Sequence, residues 1–509
     1  MELQLSFFYS LVSLFFIIIT VLKISKTSSR EDLDLNLLPG PWRLPLIGNL
    51  HQLVGSTSPH HRLRDLAKKY GPFMRVQLGE VSTIVVSSAE YAKEVMGDHD
   101  TIFANRPFIL AASLISYDHK NIACSPLNNY WRELRKICIS ELLSPKRVLS
   151  FRSIREEEVL SLLRYISKNV DSPVNLSEKI SSTTYGITSR AAFSRKYDEQ
   201  QEFIHLVDGV IKVAEGFSIA DSFPSLKLVH RLGGMMGQIE KIHKQVDKVL
   251  ETIITEHRSK KMTKNSTEGE VEEDLVDVLL KIQETGCMDS PFADDNIKAV
   301  ILDVFIAGSE TSSKTVAWAL SEVLRNPEII TKAQAEVRQV FSKKGKVEES
   351  GLGELKYLKM VIKETLRLHP PAPLLLPRES SEKCTISGYD IPSKTKVIVN
   401  AWAIARDPNY WTEAETFMPE RFLDSSVDYK GSNFEFIPFG AGRRICPGMS
   451  LGLINVELPL ASLLYHFDWK SPDDTSLENL DMTEDFGATV GRKNDLRLVP
   501  VSYIPVPAE

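Results

Sequence analysis

The chain opens on its longest apolar run. Leu3 to Leu22 carries no charged side chain and is long enough to cross a bilayer as a helix. Lys23, Lys26 and Arg30 follow it and only Glu2 precedes it, which predicts that the large C-terminal part faces the cytosol. A cleaved signal peptide is the alternative reading, weakened by the missing basic start and the missing small-x-small cleavage site. On the cytosolic side the sequons at Asn175 and Asn265 would go unused. A polar linker leads to Leu38-Pro39-Gly40-Pro41-Trp42-Arg43-Leu44-Pro45, where three prolines in seven residues make a stiff, non-helical segment. Strand-like alternation at Phe73–Leu78 and Ser82–Ser87, parted by Gly79-Glu80, predicts a hairpin. Beyond it the period is mostly helical. Asp295 to about Arg325 reads as a long, largely buried helix with Gly308 in its interior. Met449 to Phe467 reads as a second apolar helix, with Pro447 as its first helical residue. Ser259–Asp274 is charged and poor in apolar residues, which predicts an exposed, flexible loop between helices. His369–Arg378, rich in proline, reads as an extended apolar segment ending in a cation, and Leu496–Val501 as a strand. The predicted class is mainly α with small β-sheets.

Composition narrows function without naming it. With 509 residues, a length prior alone suggests about three domains. The basic residues are scattered and outnumbered by acids, for a net charge of −6, so no nucleic-acid partner is expected. The cysteines, at 124, 138, 287, 384 and 446, are few and widely spaced, with no C-x-x-C pair. That argues for a reducing compartment and against a disulfide framework or a zinc knuckle. Gly233-Gly234-Met235-Met236-Gly237 follows no strand, and no Walker or dinucleotide fingerprint occurs. A nicotinamide or flavin serving this protein must therefore sit on another chain.

The candidate chemistry lies in four places. In Phe436-Ile437-Pro438-Phe439-Gly440-Ala441-Gly442-Arg443-Arg444-Ile445-Cys446-Pro447-Gly448, one cysteine stands at a helix start behind two arginines. The positive helix end favours a thiolate there. Gly442 permits a turn with positive φ, and Gly448 the close approach of a flat ligand. Such a loop suits an iron ligand facing an anionic macrocycle; a buried structural cysteine is the plainer reading of one cysteine alone. Trp131 and Arg135 stand four apart on one helix face, which also describes an indole packed on an arginine stem. Glu310 and Thr311 put an acid and an alcohol among apolar residues, either as a proton relay or as a capped kink. Glu364 and Arg367 form an ordinary i, i+3 pair.

Together these stretches resemble the cytochromes P-450 in both order and separation. The matching motifs are the hinge, Trp131-x-x-x-Arg135, Ala307-Gly308-Ser309-Glu310-Thr311, Glu364-x-x-Arg367 with Pro419-Glu420-Arg421-Phe422, and the cysteine loop. The resemblance implies one heme-thiolate catalytic domain at 51–509, after an anchor at 1–22 and a linker with proline-rich hinge at 23–50; the three-domain prior then yields. It implies heme b as cofactor, with Cys446 as the axial thiolate and Phe439, Gly442 and Gly448 shaping the loop. Trp131, Arg135, Arg378 and Arg444 would hold the heme propionates, and Glu310 and Thr311 would deliver protons to bound dioxygen. Glu364, Arg367 and Arg421 would form a locking triad. Electrons would come from NADPH through a separate membrane-bound reductase, docked near Arg443. Four positions depart from the family pattern: Leu38 for a proline, Leu127 and Asn128 for Tyr-Gly, and Ser309 for threonine.

Finer phrases, such as Leu66–Pro72, Ala333–Arg338 and Tyr465–Trp469, are similar to the plant endoplasmic-reticulum clan numbered 71. Ile154–Leu160 and Tyr185–Thr188 are similar to its terpenoid and terpenoid-indole-alkaloid hydroxylases. The pocket would be built from 103–127, 203–240, Ala299–Thr311, Pro373–Leu376 and Phe486–Val490. The expected reaction is hydroxylation or epoxidation of a lipophilic terpenoid-indole alkaloid on a single-pass protein of the endoplasmic reticulum membrane. A sesqui- or diterpene hydroxylase is the alternative. A dioxygen-independent heme-thiolate isomerase or dehydratase, and a non-catalytic heme protein, stand further off.

Overall fold

The computed structural model describes residues 12, 13, 15, 16 and 36–507, except 56, 195–199, 214–218, 227–234, 265–272 and 474. Its first half runs through α1 (Pro59–Tyr70), β1 (Phe73–Leu78), β2 (Val81–Val86), α2 (Asn129–Ile137), α3 (Arg152–Ser167), α4 (Leu176–Phe193), α5 (Gln200–Val213), α6 (Met235–Lys264) and α7 (Leu275–Thr285). The second half comprises α8 (Asp294–Arg325), α9 (Pro327–Phe341), α10 (Lys356–Leu368), β3 (Arg378–Glu379), β4 (Lys396–Val399), α11 (Met449–His466), β5 (Phe467–Lys470), β6 (Glu484–Asp485), β7 (Gly491–Arg492) and β8 (Arg497–Ser502). The expected class, mainly helical with small sheets, is the one observed.

The 32-residue α8 is the axis of the molecule. Asp294 and Asp295 in its first turn complement the helix dipole, and most of its residues, polar ones included, are buried by the helices around it. Val316, Leu320 and Val323 of its second half share a core with Val337 of α9, Val361 of α10 and Leu460, Leu463 and Leu464 of α11, all fully buried. Each such side chain stabilises the fold by about 1.5–3 kcal/mol relative to exposure. The predicted hairpin forms with the register Phe73↔Val86 to Leu78↔Val81. It is extended by β4, parallel to β2, and by the short β3, antiparallel to β4.

The proline-rich segment is non-helical, as expected, and it is docked rather than free-standing. The Arg75 amide donates to Pro39 O at 2.8 Å, and Asn49 ties Trp42 O to the Gln77 amide at 2.9 and 2.7 Å. A methyl on Gly40 would lie 2.0 Å from Arg75 O, so only glycine lets the segment lie this close to β1. The predicted anchor at 1–22 lies outside the described residues apart from Val12, Ser13, Phe15 and Phe16, which are helical. Among the described residues no helix is long and apolar enough to cross a membrane.

One expectation is corrected. Ser259–Lys264 is not the start of a loop but the last turn and a half of α6. Lysine is a good helix former, and the exposed Lys260 and Lys261 lose nothing by standing on a helix. The stretch 265–272 lies outside the described residues. Where the chain resumes, Asp274 caps α7 by accepting from the Asp277 amide, and its other oxygen accepts from Ser194 Oγ at 2.6 Å and faces His257 Nε2 at 2.8 Å.

Candidate active site

The cysteine loop is set by its backbone before any side chain acts. The Cys446 amide donates to Phe439 O at 3.0 Å, closing the loop on itself. Gly442 has φ +67°, and a methyl on it would lie 2.2 Å from Met96 O and 2.5 Å from Asp100 Oδ1. The positive φ read from the sequence is thus required, and crowding excludes any side chain besides. Gly448 differs: a methyl there would meet only Leu143 and the Cys446 sulfur, at 3.9 and 4.0 Å, so nothing in the protein itself demands glycine. Phe439 is half-buried and meets Tyr429 edge to face at 5.5 Å.

Two details differ from the sequence reading. Pro447 lies in the turn before α11, Gly448 is the capping residue and Met449 is the first helical one. Cys446 therefore stands just before the helix, as expected, but the helix end does not govern its thiol. Burial pushes that thiol up, against the weaker opposing pull of the Gly448 amide and the Arg135 charge. A bound metal ion would reverse the balance, since coordination deprotonates a thiol outright.

Around the loop the chain gathers arginines. Arg444 Nε donates to Ala104 O at 2.8 Å and its Nη2 to Ser125 O at 2.6 Å. Its guanidinium lies 4.1 Å over the Trp131 ring, whose indole N–H donates to Ile122 O at 3.1 Å. Trp131 thus stacks on Arg444 from the far end of the chain. Arg135 itself donates to the carbonyl of Ile445, next to the cysteine. Arg378 is buried and pairs with Asp100 at 2.9 Å, while donating to Ala441 O at 2.8 Å. All four anchors expected from the sequence are therefore brought to one loop.

The structure adds two residues that the sequence reading missed. Arg106 donates to Ala123 O at 2.8 Å and Pro377 O at 2.7 Å, joining the cluster. Asp100, first residue of the short helix Asp100–Phe103, receives Arg378 on one oxygen and the Arg443 amide, at 2.9 Å, on the other, and so fastens the cysteine loop to that helix. A cation within the apolar run Ile102-Phe103-Ala104-Asn105-Arg106-Pro107-Phe108 was the available signal. Among the described residues, Asp100 is the one carboxylate in an ion pair with Arg106, Arg135, Arg378 or Arg444. Burial first, then the like charges of Arg106 and Arg378, pushes Arg444 down to about 8. Burial and Arg378 push Arg106 down to about 10. The site is short of negative charge.

On the other side lies the middle of α8. Its flanks are buried, yet Ala307 is exposed and Ile306, Gly308 and Thr311 are only half-buried, so this face looks into open space. A methyl on Gly308 would lie 4.0 Å from Leu451, which fixes this part of α8 against the first turn of α11, directly behind Cys446. No tight packing requires Gly308, because its nearest neighbours, two atoms of Thr188, would be at 3.6 Å. Thr311 Oγ1 donates to Ala307 O at 2.7 Å within the helix. Glu310 is 9% exposed and is bound by Lys314 at 2.7 Å, by the Tyr185 hydroxyl at 3.3 Å and by Thr489 at 3.5 Å. The acid is a bound, buried group, not a solvated kink cap.

A thiol beside a cluster of excess guanidinium charge, just before a helix packed against the open part of α8, fits a flat, dianionic, metal-bearing ligand such as heme. Two carboxylates on its edge would supply the charge that the arginine cluster lacks, in the bidentate geometry that guanidinium prefers.

Comparison with known proteins agrees. The model of the family described as Cytochrome P-450 matches residues 38–496. The chain is 55% identical to desmethyl-deoxy-podophyllotoxin synthase of Sinopodophyllum hexandrum, over 91% of both chains. It is 54% identical to tabersonine 6,7-epoxidase isoform 1 of Catharanthus roseus, over 99% of this chain and 98% of that one. It is 52% identical to premnaspirodiene oxygenase of Hyoscyamus muticus, over 98% and 99%. A solved zebra fish cytochrome P-450 structure with progesterone superposes with a TM-score of 0.75 at 26% identity, covering 88% of this chain and all of that one.

Proposed function

The chain belongs to the cytochrome P-450 family and is a heme-dependent monooxygenase, and from that premise we propose that it hydroxylates or epoxidises a terpenoid-indole alkaloid. The observation that carries the substrate class is the near full-length identity to an enzyme named for tabersonine epoxidation. A terpene hydroxylase is the second reading, supported by the equally complete match to premnaspirodiene oxygenase. The proposal includes an anchor at 1–22, a linker and hinge at 23–50 and a catalytic domain at 51–509 on the cytosolic face of the endoplasmic reticulum. Its support is the apolar run and the basic residues behind it.

When bound, heme b supplies the iron at which dioxygen is activated, with electrons drawn from NADPH through a separate reductase. Cys446 is the residue to hold that metal; Arg135, Arg378 and Arg444, with Arg106, are those to hold the carboxylates. Trp131 keeps Arg444 in place by stacking and holds the 122–125 loop through Ile122 O. Thr311 Oγ1 is the proton-carrying atom on the open face, reached by turning its hydroxyl away from Ala307 O. Glu310, one residue before it and out of bulk water, is the group that restores the proton. Ile306, Ala307 and Gly308 on that face are apolar, which supports a lipophilic substrate.

Thr311→Ala is expected to keep NADPH consumption while product per NADPH falls roughly tenfold or more, with peroxide making up the difference. Product and peroxide assayed side by side check this; unchanged coupling would remove Thr311 from the relay. The substrate assignment is tested by supplying microsomes and reductase with tabersonine and with premnaspirodiene. An oxygenated tabersonine is the expected product. Turnover of premnaspirodiene alone would establish the second reading instead.

A further inference from the structure

Lys314 stands one turn beyond Glu310 on α8, and its ammonium is engaged. Nζ lies 2.7 Å from Glu310 Oε1 and donates to Thr489 Oγ1 at 2.7 Å and to Thr489 O at 3.1 Å. The ammonium thus gives two hydrogen bonds to Thr489 while its charge is paired with Glu310. An exposed i, i+4 pair needs no third partner and contributes a few tenths of a kcal/mol at most. This one is partly buried and spans two elements.

The second element is the β6–β7 hairpin. Its segment Phe486–Val490 is the stretch that the family resemblance assigns to the substrate pocket. One stripe of α8 holds it residue by residue: Lys314 binds Thr489, Trp318 Nε1 donates to Val490 O at 3.4 Å, and Ser321 Oγ accepts from Arg492 at 2.9 Å. These helix positions are spaced i, i+4, i+7, the repeat that keeps one face toward a neighbour. Gly491 lies on the lysine stem so closely that a methyl there would be 3.0 Å from Cε and 3.2 Å from Cδ. The ammonium cannot follow Glu310 away from the hairpin without giving up both hydrogen bonds to Thr489.

We propose that Lys314 is a positioning residue for the acid: it ties the Glu310 carboxylate to Thr489, so that the place of the hairpin sets where the acid points and proton supply follows the state of the pocket. The inference rests on the reading of Glu310 and Thr311 as the proton relay. A substrate that pushes the hairpin at Phe486–Val490 would move the Lys314 anchor with it, and an empty pocket would leave the acid held toward Tyr185 and Thr489.

The test uses the full-length holoenzyme with reductase, and Lys314→Met, Lys314→Arg, Glu310→Gln and the Lys314→Met/Glu310→Gln double variant. Amide hydrogen exchange over residues 486–492 reads the tether without turnover, and peroxide released per NADPH, with tabersonine and premnaspirodiene as probes, reads coupling. For Lys314→Met we expect faster exchange of that segment. We also expect a peroxide fraction raised roughly threefold to tenfold, with the reduced carbon monoxide spectrum unchanged and Lys314→Arg restoring most of both. In the Glu310→Gln background, Lys314→Met should still free the hairpin but cause no further loss of coupling. Unchanged exchange, or full coupling in Lys314→Met while Glu310→Gln is uncoupled, overturns the inference and leaves the relay standing. An equal loss in both backgrounds also overturns it, since the lysine would then not act through the acid. Full coupling in Glu310→Gln overturns the relay reading itself, and with it the inference.

Discussion

Cys446→Ser is expected to give a folded protein whose reduced carbon monoxide spectrum lacks the thiolate-ligated band and whose monooxygenase activity is at background. The loop's shape does not depend on the sulfur. It is held by the Cys446 amide on Phe439 O, by Gly442 with its positive φ, and by Arg135 on Ile445 O. All of these survive the substitution, and serine is smaller than cysteine, so neither overpacking nor a large cavity follows. What is lost is the soft, polarisable anion. In cytochromes P-450 as a class it is the thiolate that pushes electron density toward iron and favours O–O cleavage. A neutral hydroxyl in a buried place supplies no such donor. The arginine cluster still favours a dianionic ligand, so some heme is expected to remain bound in the variant, ligated differently. Absorbance of the purified variant checks retention, and the carbon monoxide difference spectrum checks ligation. Persistence of the wild-type band would remove Cys446 from the metal.

Much of this site could be read from the chain because its parts are short and locally constrained. Gly442 is legible since one φ sign and one close approach each demand glycine. Glu364 and Arg367 are legible since helix spacing alone makes them meet. The missed parts are those whose partners lie far off in sequence. Nothing near Trp131 announces that Arg444 will cover it, and the local four-residue spacing pointed to Arg135 instead. Asp100 and Arg106 become site residues only because β3 and the cysteine loop come to them. Lys314 gains a role only once the β6–β7 hairpin supplies Thr489. The thiol's balance is only half legible for a related reason. A helix end is visible in sequence, but the degree of burial that outweighs it is a property of the whole packing. The end of α6 is not legible because a solvated helix face and a flexible loop share the same high charge.

Glu364→Ala is expected to be the most destabilising single change outside the site, and the reason is the number of groups that one carboxylate serves. Glu364 and Arg367 are both fully buried. Arg367 meets Glu364 through Nε at 2.7 Å and Nη2 at 2.8 Å, and Glu364 Oε1 also accepts from Arg421 Nε and the Met418 amide, each at 2.8 Å. The two guanidiniums then reach onward to backbone: Arg367 to Ala405 O and Ala414 O, both at 2.7 Å, and Arg421 to Thr412 O at 2.8 Å. Both also reach Thr416 O at 3.1 Å. The carboxylate therefore orients two cations that fasten the irregular chain between β4 and α11, the same stretch that ends in the cysteine loop. Replacing a buried ion pair with apolar groups can be neutral, but removing one partner leaves the other charge stranded, typically at about 3–5 kcal/mol. Here two charges are stranded and a backbone amide loses its acceptor. Against a total stability of about 5–15 kcal/mol, that loss is enough to leave little folded holoprotein at physiological temperature. Glu364→Gln keeps one carbonyl oxygen in place and is expected to fall between wild type and alanine. The measurements are the thermal midpoint and the heme-to-protein ratio of each variant. A Glu364→Ala protein that melts with the wild type and retains its full heme complement would show that the carbonyl contacts of Arg367 and Arg421 hold this region without the carboxylate.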